Sequence, residues 1–277
     1  MAALLALGGA LSWGAGDFLG GLASRRVAVL TVLAVSQAIG LAGVALWILL
    51  ADDPFPGIAP LLPAAAAGAF GVAGLAALYR GLAVGAMGIV APISAASPLV
   101  PLTVDAANGT VPSTLQWIGI ALVLAGIMVL SLEPSGVGGR RIATGAGLAV
   151  VAALGFGGFV VGIDAGADES TTWAVAAARS TSVTIAVVAA LLVSVSLRPP
   201  LGLLPMLVGV AIFDTGANVF VALATTKGAA GTVAVLSALY PIVTVVLARV
   251  VLAERLGAAK RAGGAIAVAG AALVAAG

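Results

Sequence analysis

Residues 227–247 read KGAAGTVAVLSALYPIVTVVL, and residues 84–104 read VGAMGIVAPISAASPLVPLTV. Laid over each other, they pair Gly85 with Gly228, Gly88 with Gly231, Ser94 with Ser237 and Pro98 with Pro241. The same offset lays ALSWGAGDF (10–18) over ALGFGGFVV (153–161). One residue further on, IGIALVLAGIMVL (118–130) lies over AGGAIAVAGAALV (262–274), pairing Gly119 with Gly263 and Gly126 with Gly270. The chain therefore reads as one plan written twice, over residues 1–135 and 136–277.

Both copies are written in apolar residues. Of 277 residues, 62% are hydrophobic and 8% charged, where a soluble domain carries about 25% charged residues. So little polar surface cannot cover a globule in water, and the natural solvent is a bilayer. The 38 glycines suit helices that pack closely in lipid.

A membrane-crossing helix needs about 20 apolar residues. Ten such spans are expected, near 3–22, 29–50, 60–80, 86–105, 115–132, 143–163, 173–196, 203–225, 230–250 and 260–276. The weakest divisions are RGLAVGAMG (80–88) and TTKGAAG (225–231). The spans are continuously apolar rather than alternating, which disfavours a β-barrel. The fold class expected is all-α, a polytopic bundle. Five spans per copy is an odd number, so the second copy enters the membrane upside down. Inverted repeats of this kind are the architecture of secondary transporters.

Loop charges follow the same alternation. Arg25, Arg26, Arg80, Arg140, Arg141, Arg198, Arg255, Lys260 and Arg261 fall on one side. Asp52, Asp53, Asp105, Asp168 and Glu169 fall on the other, with Lys227. The positive-inside rule puts the basic side in the cytoplasm and both termini outside. Met1 leads straight into an apolar span with no basic stretch before it, which argues against a cleaved signal peptide.

Cysteine and histidine are absent. Disulfides, thiol nucleophiles, histidine-based catalysis and the usual zinc ligands go with them. An intramembrane enzyme is disfavoured, and no metal or cofactor is expected. No basic patch with interleaved aromatics points to nucleic acid. No Gly-x-x-x-x-Gly-Lys-Ser/Thr run points to ATP, so transport would draw on a gradient of protons or solute. A passive facilitator or channel is the alternative; it predicts flux without saturation or counterflow.

Three stretches carry a family resemblance: SWGAGDF (12–18), ALYRGLAVG (77–85) leading into SAASPLVPL (94–102), and LSALYPIVTVVLARVVLAERLGAAKRAGGAIAVAGAALV (236–274). They resemble the EamA-type repeat of the drug/metabolite transporter superfamily. The resemblance implies a ten-helix inner-membrane exporter or permease of small metabolites, such as amino acids or drug-like amines, working by alternating access. It also implies both termini in the cytoplasm, opposite to the loop charges. Spans 1, 3, 4, 6, 8 and 9 would line the central cavity, with Trp13, Tyr79, Ser97, Phe156 and Tyr240 on or near it. Val111 stands where the second copy has Glu254. The partners expected are a small solute and the bilayer, with the chain as a monomer.

Polar residues inside spans complete the expectation. A carboxylate at mid-bilayer costs about 2.5–3.5 kcal/mol on insertion scales, so it should face the bundle interior. Asp17 and Asp214 are the two acids placed well inside spans, and their repeat partners are Val160 and Gly71. Each reads as a solute ligand or proton site, or else as a structural hydrogen-bond partner. Asn218 shares a helix face with Asp214. Gln37 reads as pocket or interhelical glue. Arg179 reads as structural, either snorkelling to the interface or paired with Asp214 or Asp17, where it could also meet a solute carboxylate. Gly14, Gly157, Gly126 and Gly270 read as helix contacts, and Pro98 and Pro241 as bends that can line a pocket. Trp47, Trp117 and Trp173, near span ends, fit an interfacial belt.

Overall fold

The computed structural model describes residues 1–84, 94, 96–131, 139–251 and 257–277; the side chains of residues 51, 79–84, 130–131, 139–146, 245, 248–249 and 260 are outside that description. Among the described residues every regular element is helical. The α-helices are α1 (Ala2–Ser24), α2 (Val29–Ala51), α3 (Leu62–Val84), α4 (Leu99–Ala107), α5 (Thr114–Ser131) and α6 (Gly139–Ala167). They continue as α7 (Thr171–Leu192), α8 (Leu204–Thr225), α9 (Ala230–Ser237), α10 (Tyr240–Val251) and α11 (Ala258–Ala276). Six helical stretches are long and apolar enough to cross a membrane, in α1, α2, α3, α6, α7 and α8. The apolar stretches at 114–129, 230–244 and 261–276 are shorter. This is a multi-pass membrane protein.

The breaks are chemical. α2 ends at Asp52, whose left-handed φ of 50° a short polar side chain tolerates, and Pro54, Pro56 and Gly57 (φ +95°) follow. α7 starts on Ser170, whose Oγ accepts the Trp173 amide and donates to Asp53 at 2.9 Å. The span expected at 230–250 is divided: α9 ends at Ser237 and α10 begins at Tyr240, with Pro241 in its first turn. Proline lacks the N–H that would continue the helix and is tolerated in a first turn, so the bend expected at Pro241 takes the form of a break. Pro98 caps the start of α4 in the same manner.

Neighbour relations follow a regular scheme. α1 lies along α8, and α6 lies along α3. α2 packs on α7 and α8, while α7 packs on α2 and α3. α5 crosses α11, α1 also touches α9 and α10, and α6 also touches α4. Lipid is as apolar as leucine, so close packing rather than hydrophobic transfer holds such helices together. Small residues make the approach possible. A methyl on Gly14 would sit 2.7 Å from the Tyr240 carbonyl oxygen, and one on Gly157 2.6 Å from that of Ser97. Gly126 abuts the Gly263 carbonyl and the Ala267 amide, and Gly119 and Gly270 face each other's carbonyls.

The α5–α11 crossing gives a direct test. Gly126→Ala puts a methyl against backbone, which cannot turn aside, and should cost about 1–3 kcal/mol. Gly43→Ala meets nothing within 4 Å and should be neutral. Thermal unfolding in detergent separates them; equal melting temperatures would contradict the packing account.

Candidate functional site

Trp13 and Asp17 lie one turn apart on α1, and Asp214 and Asn218 one turn apart on α8. The two helices run antiparallel, with Gly16 of α1 so close to α8 that a methyl there would be 3.3 Å from the Asp214 amide. Trp13 Nε1 donates to Asn218 Oδ1 at 3.1 Å. Asn218 is thus bonded to α1 across the α1–α8 contact.

Arg179 enters from α7 and is 2% exposed. Its Nη1 donates to Gln37 Oε1 of α2 at 3.0 Å and to Asp214 Oδ2 of α8 at 2.5 Å. Charge-assisted bonds of this type are short and strong. The structure thus selects the ion pair for Arg179 and rejects snorkelling: a side chain held between Gln37 and Asp214 and sealed by protein does not reach the interface. Gln37 joins α2 to this pair. Among the described residues, the buried side-chain polar atoms without a hydrogen-bond partner are Arg179 Nε, Arg179 Nη2 and Thr215 Oγ1.

Asp17 differs from Arg179. It is exposed on α1, and its neighbour Gly16 lies against the Asp214 backbone of α8. Asp214 is intermediate, with a third of its side chain exposed.

Aromatic rings close one side. Trp13 meets Phe159 of α6 edge-on, with centroids 6.2 Å apart, and Tyr240 of α10 likewise at 6.4 Å. Such pairs add roughly 0.5–1.5 kcal/mol beyond area burial. Phe156, the repeat partner of Trp13, packs against Gly74 of α3 instead; Phe159, a residue the sequence did not single out, is the one that reaches Trp13. Ser97 is half-buried before α4, its carbonyl turned to Gly157. The Tyr79 side chain lies outside the described residues, as do those of Arg80, Arg140, Arg141, Arg249, Glu254, Arg255 and Lys260. Trp173 bonds the Asp53 carbonyl and stacks edge-on against Phe55 at a span end.

The family comparison adds to this geometry. The model of the EamA-like transporter family matches the chain twice, over residues 1–132 and 143–276. The chain belongs to the EamA-like transporter family. That family lies within the drug/metabolite transporter superfamily, so this member is a membrane transporter and not an enzyme. A solved crystal structure of another protein is similar, with a TM-score of 0.82 over 98% of this chain and 95% of its own, at 20% identity; the two share a fold. No curated protein matches the chain in sequence.

Asp214 is the counter-ion of a buried guanidinium, and breaking such a pair from one side costs about 3–5 kcal/mol when both partners are buried. Asp214 is partly exposed, so Asp214→Ala should cost somewhat less, about 2–3 kcal/mol. Gln37→Ala, which removes one neutral acceptor, should cost about 1–2 kcal/mol. Denaturant or thermal unfolding measures both; an Asp214→Ala variant as stable as the parent would refute the pairing.

Proposed function

We propose that this family member is a secondary transporter that exports small organic metabolites, amino acids or drug-like amines, across the cytoplasmic membrane by alternating access and in exchange for protons. One observation carries the reading. Arg179 neutralises Asp214, while Asp17 is exposed on α1 beside Gly16, which lies against the Asp214 backbone. An uncompensated carboxylate inside an apolar bundle is costly. A proton relieves that cost, and so does the ammonium group of a solute. The two compete for one carboxylate, and competition for one group is what exchange requires.

Two inverted five-helix repeats, 1–135 and 136–277, would carry the motion. The neighbour scheme supports this. Exchanging each helix of one copy for its counterpart turns α1 on α8 into α6 on α3, and α2 on α8 into α7 on α3. It returns α2 on α7 and α5 on α11 to themselves. The double family match supports it as well. Rocking of one module against the other would expose Trp13, Asp17, Asp214, Asn218, Tyr240 and Ser97 to each side in turn, with Gln37, Phe156 and Tyr79 near them.

Proteoliposomes loaded with radiolabelled amino acids or amines test the reading. The parent should show saturable release that quickens under an imposed proton gradient, and exchange with unlabelled solute. Asp17→Asn should lose the response to the gradient and weaken exchange as well, since the ammonium group loses its carboxylate partner. Unchanged coupling in both Asp17→Asn and Asp214→Asn would refute proton exchange at these acids, and flux without saturation would favour a channel.

A further inference from the structure

The seam between α2 and α7 is bonded at both ends and in the middle. At one end, Ser170 Oγ donates to Asp53 Oδ2 at 2.9 Å, Trp173 Nε1 donates to the Asp53 carbonyl at 3.1 Å, and Phe55 meets the Trp173 ring edge-on at 4.9 Å. At the other end, Thr31 Oγ1 donates to the Ser196 carbonyl at 2.7 Å. Between them, Arg179 Nη1 donates to Gln37 Oε1.

The two ends are built alike. Thr31 and Trp173 are each the third residue of their helix. Their acceptors, Asp53 and Ser196, overlie each other at the offset of the two copies. Both acceptors follow a left-handed turn at a helix end: among the described residues, Asp52 (φ 50°) and Ser194 (φ 55°) are the non-glycine residues with positive φ. The next amide closes the same backbone ring in each case, Asp53 on the Ile48 carbonyl and Val195 on the Ala190 carbonyl. This is a helix stop that turns the chain aside, and here it delivers a carbonyl to the start of the other helix.

α2 also packs on α8, and α7 on α3. The seam thus joins the helices gathered around α1 and α8 to those gathered around α6 and α3. Rocking of one group against the other about the middle of the seam would part its ends in turn. The bonds suit that motion. Arg179 is sealed and charged, so losing its partners is costly, and the middle is the place for a fulcrum. Ser196 is exposed, and Asp53 and Ser170 are half-buried, so water can replace the end bonds at small net cost. The ends are unequal. The one beside Asp52 and Glu169 has a charged acceptor and a ring contact; the one beside Arg198 has a neutral hydroxyl bond.

Resting on the transporter reading, we propose that these bonds are two alternating latches: the seam pivots at Gln37–Arg179 and releases either Thr31–Ser196 at the basic face or Asp53–Ser170–Trp173 at the acidic face, one at a time, with the Thr31 end the looser. In this conformation both are closed.

Spin labels beside each latch test this in proteoliposomes. The pairs are Ala28→Cys with Arg198→Cys and Pro54→Cys with Glu169→Cys, all at exposed positions in a chain without cysteine. Each pair should show a close and a separated population, the separated one larger at the Ala28 end. Thr31→Val keeps the shape and loses the donor. It should raise the separated population at its own end by about three- to tenfold and lower that at the other end. A close population alone at both ends, unmoved by Thr31→Val, overturns the latches, and so do ends that open independently. Cross-linking gives a second readout. Joining Thr31→Cys to Ser196→Cys, or Asp53→Cys to Ser170→Cys, with a reducible thiol reagent should stop solute exchange, and reduction should restore it. Exchange that continues under either cross-link also overturns the latches. The transporter reading fails separately, if proteoliposomes of the parent pass none of a broad set of amino acids, amines and sugars; the spin labels then still decide the seam.

Discussion

A guanidinium sealed inside an apolar bundle must find an anion. That requirement organises the middle of this protein. Arg179 on α7 cannot reach Asp214 on α8 and Gln37 on α2 unless the three helices converge at one depth. Once they converge, Asp214 is fixed in place, and α1, which packs along α8, brings Trp13 to Asn218 and Gly16 against the Asp214 backbone. The polar lane is a consequence of satisfying one buried charge. Breaking the pair would leave an uncompensated ion in a medium that solvates it poorly.

Close packing lets this polar lane exist without opening the bundle to lipid. Gly14 and Gly157 bring α1 and α6 against the backbone before and within α10 and α4, and glycines at the α5–α11 crossing do the same at the periphery. Apolar side chains such as Leu11 and Leu154 point outwards, where they meet acyl chains. The interior is itself mostly apolar, with the polar residues confined to a few positions that find partners there. Family membership agrees with this build.

Much of the fold was legible in the sequence because its signals are long. Spans of about 20 apolar residues and a repeat covering both halves survive any local ambiguity. That Asp214 and Asn218 share a helix face follows from spacing alone; that their partners are Arg179 and Trp13 does not. Other parts depend on rotations that spacing does not encode. Arg179 stands near Trp173, a residue suited to an interface, so snorkelling was a fair reading; the structure shows that its side chain turns inwards to Gln37 and Asp214. Phe156 matched Trp13 in the repeat, yet Phe159 makes the ring contact, because the two copies put aromatics on different turns. Thr215 carried no signal, since a β-branched residue in an apolar stretch reads as packing. Pro241 in the sequence permits either a bend or a break, and the structure has the break, at Ala238–Leu239.

The account stands on a crevice of water inside the bundle, with Asp17 on its wall. The chain has no cysteine, so single substitutions can be read without background. Asp17→Cys and Leu11→Cys, both on α1, should be compared in lipid nanodiscs with a charged maleimide that stays out of hydrocarbon. The account predicts rapid labelling of Asp17→Cys and none of Leu11→Cys, whose position is exposed at the outer surface of the bundle. Silence at both positions, or quenching of a probe at position 17 by spin-labelled acyl chains, would contradict it.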